Sequence, residues 1–273
     1  MLSRGSNRVR AARRLTRRSS RAELGQFLAE GPQAVREALA VPGLVLEVLA
    51  LPDRFPDLAS LASDTGVAWL LVDGPALGSL SETVTPQGVV AVCRTVDVPL
   101  DEVLGAAPRL LAVCVEVRDP GNAGTVLRCA DAAGADGVVL AGAGVDPYNG
   151  KAVRATAGSL FHLPLALAAD PDDAVGRARA AGLVVLATEG AGEVDLDDAI
   201  DDGLLDGPTA WLFGNEAHGL SRAVADAADH RVRIPLHGRA ESLNLATAAA
   251  VCLYASARAH RRPGFAAREA QRP

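Results

Sequence analysis

Three short segments carry the residue types from which a polar site could be built. The first runs Val117–Arg–Asp–Pro–Gly–Asn122–Ala–Gly124 and continues to Arg128. Asn122 has the chemistry of a helix N-cap, Gly124 permits a partner to approach closely, and Arg128 sits further along the same helix. The second is Trp211–Leu–Phe–Gly214–Asn–Glu216–Ala–His–Gly219–Leu–Ser221, in which two glycines flank a carboxylate. The third is Ile234–Pro–Leu–His–Gly238–Arg–Ala–Glu–Ser242–Leu–Asn244–Leu–Ala246. There, a hydroxyl and an amide stand at the entrance to an alanine-rich helix. Each alone has a plain structural reading: a cap, a tight loop with a surface carboxylate, another cap.

Other chemistries lack their residues. Gly142–Ala–Gly144–Val–Asp–Pro147 has proline where a dinucleotide loop needs its third glycine, and Gly190–Ala–Gly192–Glu–Val–Asp195 also lacks it. Lys151, the one lysine, is not preceded by a phosphate-binding P-loop. No GxSxG elbow occurs. The five histidines and four cysteines (Cys93, Cys114, Cys129, Cys252) show no metal-ligand spacing, so no metal is expected. The cysteines sit in apolar stretches and read as buried, reduced thiols of a cytoplasmic protein.

The elements that must position these segments follow from periodicity. Strands are expected at 45–51, 67–72 and 88–93, with helical turns at 32–40 and 58–62, which makes a small α/β domain over residues 22–95. Residues 96–108 carry two prolines and little periodicity, and read as a linker. Leu110 to Val117 is an unbroken apolar run, as in a strand covered on both faces. A helix from Asn122 to Ala133 follows. Strands at Val138–Leu140, Leu163–Ala166, Leu183–Thr188, Thr209–Phe213 and Arg231–Ile234 then alternate with helices, among them Asp172 to Ala181, as far as a closing helix from about Leu243 to Ala259. That alternation predicts an α/β fold with a parallel sheet over 109–262, and such sheets bind ligands beyond the carboxyl ends of their strands. Residues 263–273 read as a tail. No apolar run is long enough to span a membrane, and no secretory h-region follows the basic start.

Charge is unevenly placed across the 273 residues. Residues 1–21 hold eight arginines and no acid, which leaves 19 basic against 33 acidic residues, a net −14, for the remainder. A basic arm on an acidic body points to a local polyanion partner, although an isolated tail of this kind is commonly just solvated. The aromatic fraction of 3% leaves few stacking platforms for single-stranded nucleic acid.

Taken together and in order, NxGxxxR (Asn122, Gly124, Arg128), FGNExxGLS (Phe213 to Ser221) and IPxxGxxxSLNxAxA (Ile234 to Ala248) resemble the SpoU/TrmH family of RNA ribose 2′-O-methyltransferases, over about residues 109–260. Upstream, Phe27 to Pro32 and Thr85 to Val92 resemble the ribosomal-protein-like substrate-binding domain that many members carry. Ala246 departs mildly from the family, where a small hydroxyl residue is common.

The resemblance implies a C-terminal trefoil knot with S-adenosylmethionine bound by the turns Thr188–Glu189–Gly190, Leu212–Phe213–Gly214–Asn215 and Ile234–Pro235–Leu236, together with Ser242, Leu243, Asn244 and Ala246. It implies Arg128 as the central catalytic residue. Because an arginine keeps its proton, the better role is to grip a phosphate and polarise the hydroxyl, unless a bound phosphate relays the proton. Asn122, Ser242 and Asn244 would orient it, and Glu216 would fix the loop or pair with an arginine. Arg13, Arg14, Arg17, Arg18 and Arg21 would hold RNA backbone. Ribosomal RNA of the large subunit is the expected target, with transfer RNA the nearest alternative and a silent RNA-binding assembly factor a rival. A homodimer is implied. The acidic stretch Glu193 to Asp206 is assigned no catalytic role.

Overall fold

A computed structural model describes residues 1–261; the expected tail at 263–273 lies outside the described residues. The chain forms two compact units, residues 1–96 with 146–162, and residues 97–145 with 163 onward.

The first unit opens with α1 (Asn7–Arg14) and α2 (Arg18–Leu24), followed by β1 (Gln26–Glu30), α3 (Pro32–Ala40), β2 (Val45–Ala50), α4 (Pro56–Asp64), β3 (Ala68–Leu71), α5 (Gly74–Gly78) and β4 (Val89–Arg94). Its sheet runs in the order β1-β4-β2-β3, with only the β2–β3 pair parallel. The basic arm, whose plain alternative reading is a solvated tail, is folded. Val9, Ala12 and Leu15, three apart, are sunk among Leu28, Leu49, Leu77 and Val90. Three apolar positions on one side suffice to bury a helix face, however basic the other side is.

The second unit begins with β5 (Asp97–Val98) and α6 (Leu100–Gly105), so the expected linker is structured. Leu100 and Val103 enter the core, and β5 pairs along the edge of the large sheet. Next come β6 (Leu110–Val115), α7 (Pro120–Ala133) and β7 (Gly137–Ala141). The chain then leaves this unit for residues 146–162, which carry α8 (Gly150–Thr156) and a short 3-10 turn and pack with the first unit. Two ion pairs hold this strap there. Arg21 is 4% exposed and grips Asp146 through Nε at 2.8 Å and Nη2 at 2.7 Å. Arg154 donates to Glu30 at 2.9 Å, while Ser81 donates to the same carboxylate at 2.6 Å. Phe27 packs between Tyr148 and Phe161, with ring centroids 4.7 and 6.3 Å away. The division at 109–262 expected from the sequence is therefore interrupted by a segment that belongs elsewhere.

The chain returns through β8 (Leu165–Ala168), α9 (Pro171–Ala180), β9 (Val184–Thr188), β10 (Val194–Asp195), α10 (Leu196–Asp201), β11 (Thr209–Phe213), α11 (Arg222–Ala227), β12 (His230–Arg233) and α12 (Leu245–His260). The eight-stranded sheet has the order β10-β12-β9-β11-β6-β7-β8-β5, and every pairing is parallel. Its central strands β6, β7 and β11 are buried residue after residue, which explains their unbroken apolar sequences. On one face α12 is tied to β11 by the buried Ser256, whose hydroxyl accepts a 2.9 Å hydrogen bond from Trp211 Nε1.

Candidate active site

Because β12, β9, β11 and β6 are adjacent and parallel, their carboxyl ends deliver four loops to one edge of the sheet. Those loops and the start of α12 line a cleft of about 730 Å³, a volume suited to a cofactor-sized molecule. Thr188, Glu189 and Gly190 line it after β9; Phe213, Gly214 and Asn215 after β11; Ile234, Pro235 and Leu236 after β12. Ser242, Leu243 and Asn244 close it. Two residues expected in the lining are not there. Leu212 is fully buried in the core and Ala246 is turned into the first turn of α12.

Backbone packing makes the cleft possible. A Cβ on Gly214 would lie 2.3 Å from the Gly219 carbonyl carbon and 2.4 Å from the Leu220 nitrogen. The loop after β11 doubles back here, with Asn215 and Gly219 exchanging backbone hydrogen bonds of 3.0 and 2.8 Å. Asn215 also donates to the Glu116 carbonyl at 2.9 Å, where Glu116 holds a left-handed φ of 51° at the end of β6. Thr188 Oγ1 donates to the Leu212 carbonyl at 2.8 Å, pinning the loop after β9 to its neighbour.

At the rim, a hydrogen-bond relay joins the three chemistry-bearing segments. Asn244 Nδ2 donates to Asn122 Oδ1 at 3.1 Å, and Asn122 Nδ2 donates to Glu216 Oε1 at 3.1 Å. Glu216 also accepts from the Asp119 amide at 3.0 Å and the Arg118 amide at 3.2 Å. Its carboxyl is partly desolvated, which raises the pKa, but these hydrogen bonds outweigh that and hold it below the ordinary glutamate value. Glu216 therefore fixes the loop through backbone amides rather than through an arginine. Asn244 serves twice, since its Oδ1 caps α12 by accepting from the Ala246 and Thr247 amides. The cap of α7 is Asp119, not Asn122; the amide so released is free to join the relay. Beneath it, burial and the Glu216 charge push the Cys114 thiol up to about 12, so it offers no nucleophile at neutral pH.

Arg128 does not join this relay. It is exposed on α7, more than one turn beyond Asn122, and does not line the cleft. Arg21, expected to face phosphate, is buried in its pair with Asp146 and is withdrawn from that role. Sequence reasoning also missed Arg233, which lines the cleft, donates to the Gly192 carbonyl at 2.9 Å and pairs with Asp195 at 3.2 Å. Asp195 lines the cleft too, so the acidic stretch is not wholly remote. The position of Arg233 directly before Ile234 was the available signal. Among the described residues no group of three or more histidine, cysteine or carboxylate side chains is arranged to hold a metal.

Comparison with known proteins decides the lineage. Residues 109–254 match the SpoU rRNA Methylase family model. The chain belongs to the SpoU rRNA methylase family. Residues 6–91 match a second model, the MRM3-like substrate binding domain, and this match takes in α1. A Bacillus subtilis (strain 168) relative named 23S rRNA (guanosine(2553)-2′-O)-methyltransferase is 35% identical over 254 residues, 91% of this chain and 95% of the relative. Among solved structures, an AdoMet-bound rRNA methyltransferase from Sinorhizobium meliloti aligns with a TM-score of 0.81 and 35% identity, covering 94% of this chain and 96% of that one. The SpoU methyltransferase AviRb of Streptomyces viridochromogenes, in complex with AdoMet, aligns with a TM-score of 0.80 and 33% identity, over 93% and 98%. The second and third motifs coincide with loops that build the cleft, and the first contributes Asn122 to the relay.

Proposed function

We propose that this SpoU-family chain is an S-adenosylmethionine-dependent methyltransferase acting on a ribose 2′-hydroxyl of structured RNA, with 23S ribosomal RNA as its target. The observation that carries this reading is the relay Asn244–Asn122–Glu216 at the rim of a cleft built by three strand-end loops. The cleft fits the cofactor chemically. Gly190 and Gly214 leave backbone groups accessible for an adenine edge, and Ile234, Leu236 and Leu243 supply apolar walls. When bound there, the cofactor supplies an electrophilic methyl group. A ribose hydroxyl is a weak nucleophile, so the protein's part is to align it and assist loss of its proton. The relay presents amides whose orientation is set by the ionised Glu216, and Ser242 stands beside it in the lining.

Arg128 grips the neighbouring phosphate and polarises the hydroxyl, keeping its own proton. Its exposure away from the cleft of its own chain supports a homodimer in which a second copy brings Arg128 to the site. The exposed Val251 and Tyr254 on α12, at 38% and 52%, offer apolar surface for that association. Arg13, Arg14, Arg17 and Arg18 contact RNA backbone, and the trefoil knot of the family holds the C-terminal segment. The buried thiols Cys93, Cys114 and Cys252 support a reducing, cytoplasmic setting.

Calorimetry with S-adenosylmethionine, and methyl transfer to a 23S rRNA transcript, test the reading with wild type and Arg128→Ala. Wild type should bind cofactor and modify RNA, whereas the variant should bind cofactor equally well and lose methylation by at least 100-fold. A wild type that binds RNA but no cofactor would make the chain a silent RNA-binding factor. A variant with full methylation would remove Arg128 from the chemistry.

A further inference from the structure

The basic start of the chain is a built surface. Residues 1–22 contain no acidic side chain, and Glu23 is the first. On α1, Arg10, Arg13 and Arg14 stand at i, i+3 and i+4, which places them on one side of the helix. The opposite side, Val9 and Ala12, is buried, and Leu15 follows them into the core at 2% exposure. The turn after α1 then brings Thr16 and Arg17 back toward the same side. Arg10, Arg13, Arg14, Thr16, Arg17 and Ser79 together line a groove of about 390 Å³.

The composition of the groove selects its occupant. Four guanidinium groups and two hydroxyls line it, with no apolar side chain of the kind that forms the centre of a protein–protein interface. Insertion into a lipid surface would need an exposed apolar face, and the apolar face of α1 is already spent on the core. The existing partners are weak. Arg14 meets Glu23 at 3.3 Å with both side chains more than half exposed, a pair that water screens, and Arg10 meets the neutral amide of Asn7. Guanidinium forks match phosphate oxygens two at a time. A helix anchored by its buried face holds them in place, so little ordering is left for the moment of binding.

We infer that Arg10, Arg13, Arg14 and Arg17 form a fixed phosphate rail on the first unit, which seats consecutive backbone phosphates of the RNA substrate; the inference rests on the reading of RNA as substrate. Arg21 has no part in it, being buried against Asp146. Arg8 also lies outside the rail, paired with Glu47 at 3.4 Å.

The test uses the full-length protein and an unmodified 23S rRNA transcript, with affinity measured from 50 to 200 mM KCl. Arg13→Gln combined with Arg17→Gln should shallow the slope of log affinity against log salt by about 1.5, since each lost phosphate contact removes about 0.7–0.9. Affinity should fall at least tenfold at the low-salt end, with the thermal midpoint unchanged. The corresponding lysine pair should keep the slope, because the charges remain, and Arg8→Gln should alter neither slope nor affinity. A wild-type slope in the glutamine pair overturns the rail, as does an equal loss in Arg8→Gln, which would make the effect one of net charge. Binding to phosphatidylserine vesicles that the glutamine pair loses, while RNA binding stays intact, would also overturn it in favour of a lipid headgroup. Methyl transfer by wild type on the same transcript separates the two readings: transfer with an unaltered variant slope leaves the function standing and removes the rail, whereas a shallowed slope without any transfer does the reverse.

Discussion

Asn244 offers a test in which one side chain's two tasks come apart. Its Oδ1 caps α12 and its Nδ2 holds Asn122. Asn244→Ala removes both. Loss of an N-cap costs about 1 kcal/mol, and loss of a single hydrogen bond to a neutral, partly exposed partner costs about 1 kcal/mol more. Together these lower the thermal midpoint by about 4–8 °C for a body of this size. Asn244→Asp keeps the capping oxygen and loses only the donor, so its midpoint should fall by about 2–4 °C, the share of the lost hydrogen bond alone. It also sets a carboxylate oxygen against Asn122 Oδ1, near the ionised Glu216, and should disturb the relay at least as much as alanine does. The rate of a single methyl-transfer turnover with saturating cofactor and RNA should therefore fall about fivefold or more in both variants, fivefold corresponding to about 1 kcal/mol. Scanning calorimetry and a quenched single-turnover assay read the two effects separately. An aspartate variant with the wild-type rate would show that the Asn122 contact does not position the reactants. An alanine variant with an unshifted midpoint would show that the cap does not stabilise α12.

Gly214→Ala should raise the Kd for S-adenosylmethionine by about tenfold or more, because the new methyl meets backbone atoms and must displace the loop after β11; wild-type affinity by calorimetry would contradict the close approach. Glu216 has a lowered pKa, so its contribution to stability is complete above the ordinary glutamate value near 4.3 and fades as pH falls through the lower folded value. The gap in thermal midpoint between wild type and Glu216→Gln should accordingly stay constant from pH 8 to about 5 and close only at more acidic pH; a gap that closes near neutrality would refute this. Arg21→Met should destabilise the chain by about 3–5 kcal/mol in urea unfolding, since it strands the carboxylate of Asp146, while adding Asp146→Leu should recover most of that loss. No recovery in the double variant would mean that the pair is not the origin of the loss.

Local sequence made much of the second unit legible. The apolar run at Leu110–Val115 and the strands at Val184–Thr188 and Thr209–Phe213 fall within a residue or two of where alternation places them. A strand buried on both faces must be apolar throughout, and that property needs no knowledge of what covers it. The glycine-bearing loops at the strand ends were equally visible as candidate ligand-binding sites. In the first unit, β2, β3 and β4 were legible but β1 and α1 were not. Eight arginines hide three apolar residues, and whether those three are buried depends on the sheet that receives them.

What the sequence alone determined, then, was an α/β chain with three polar loops and the motifs of one methyltransferase family. The tertiary structure decided which polar groups meet. Asn122, Glu216 and Asn244 lie 94 and 122 positions apart along their hydrogen bonds, and only the order of four parallel strands brings them together. It also decided that Arg21 is a buried tether, that Asp146 to His162 leaves its sequence neighbours for the first unit, and that Arg128 stands outside the cleft of its own chain. Periodicity is a property of neighbours within a few residues. Burial and pairing belong to surfaces that close upon one another, and those surfaces exist only once the chain has folded.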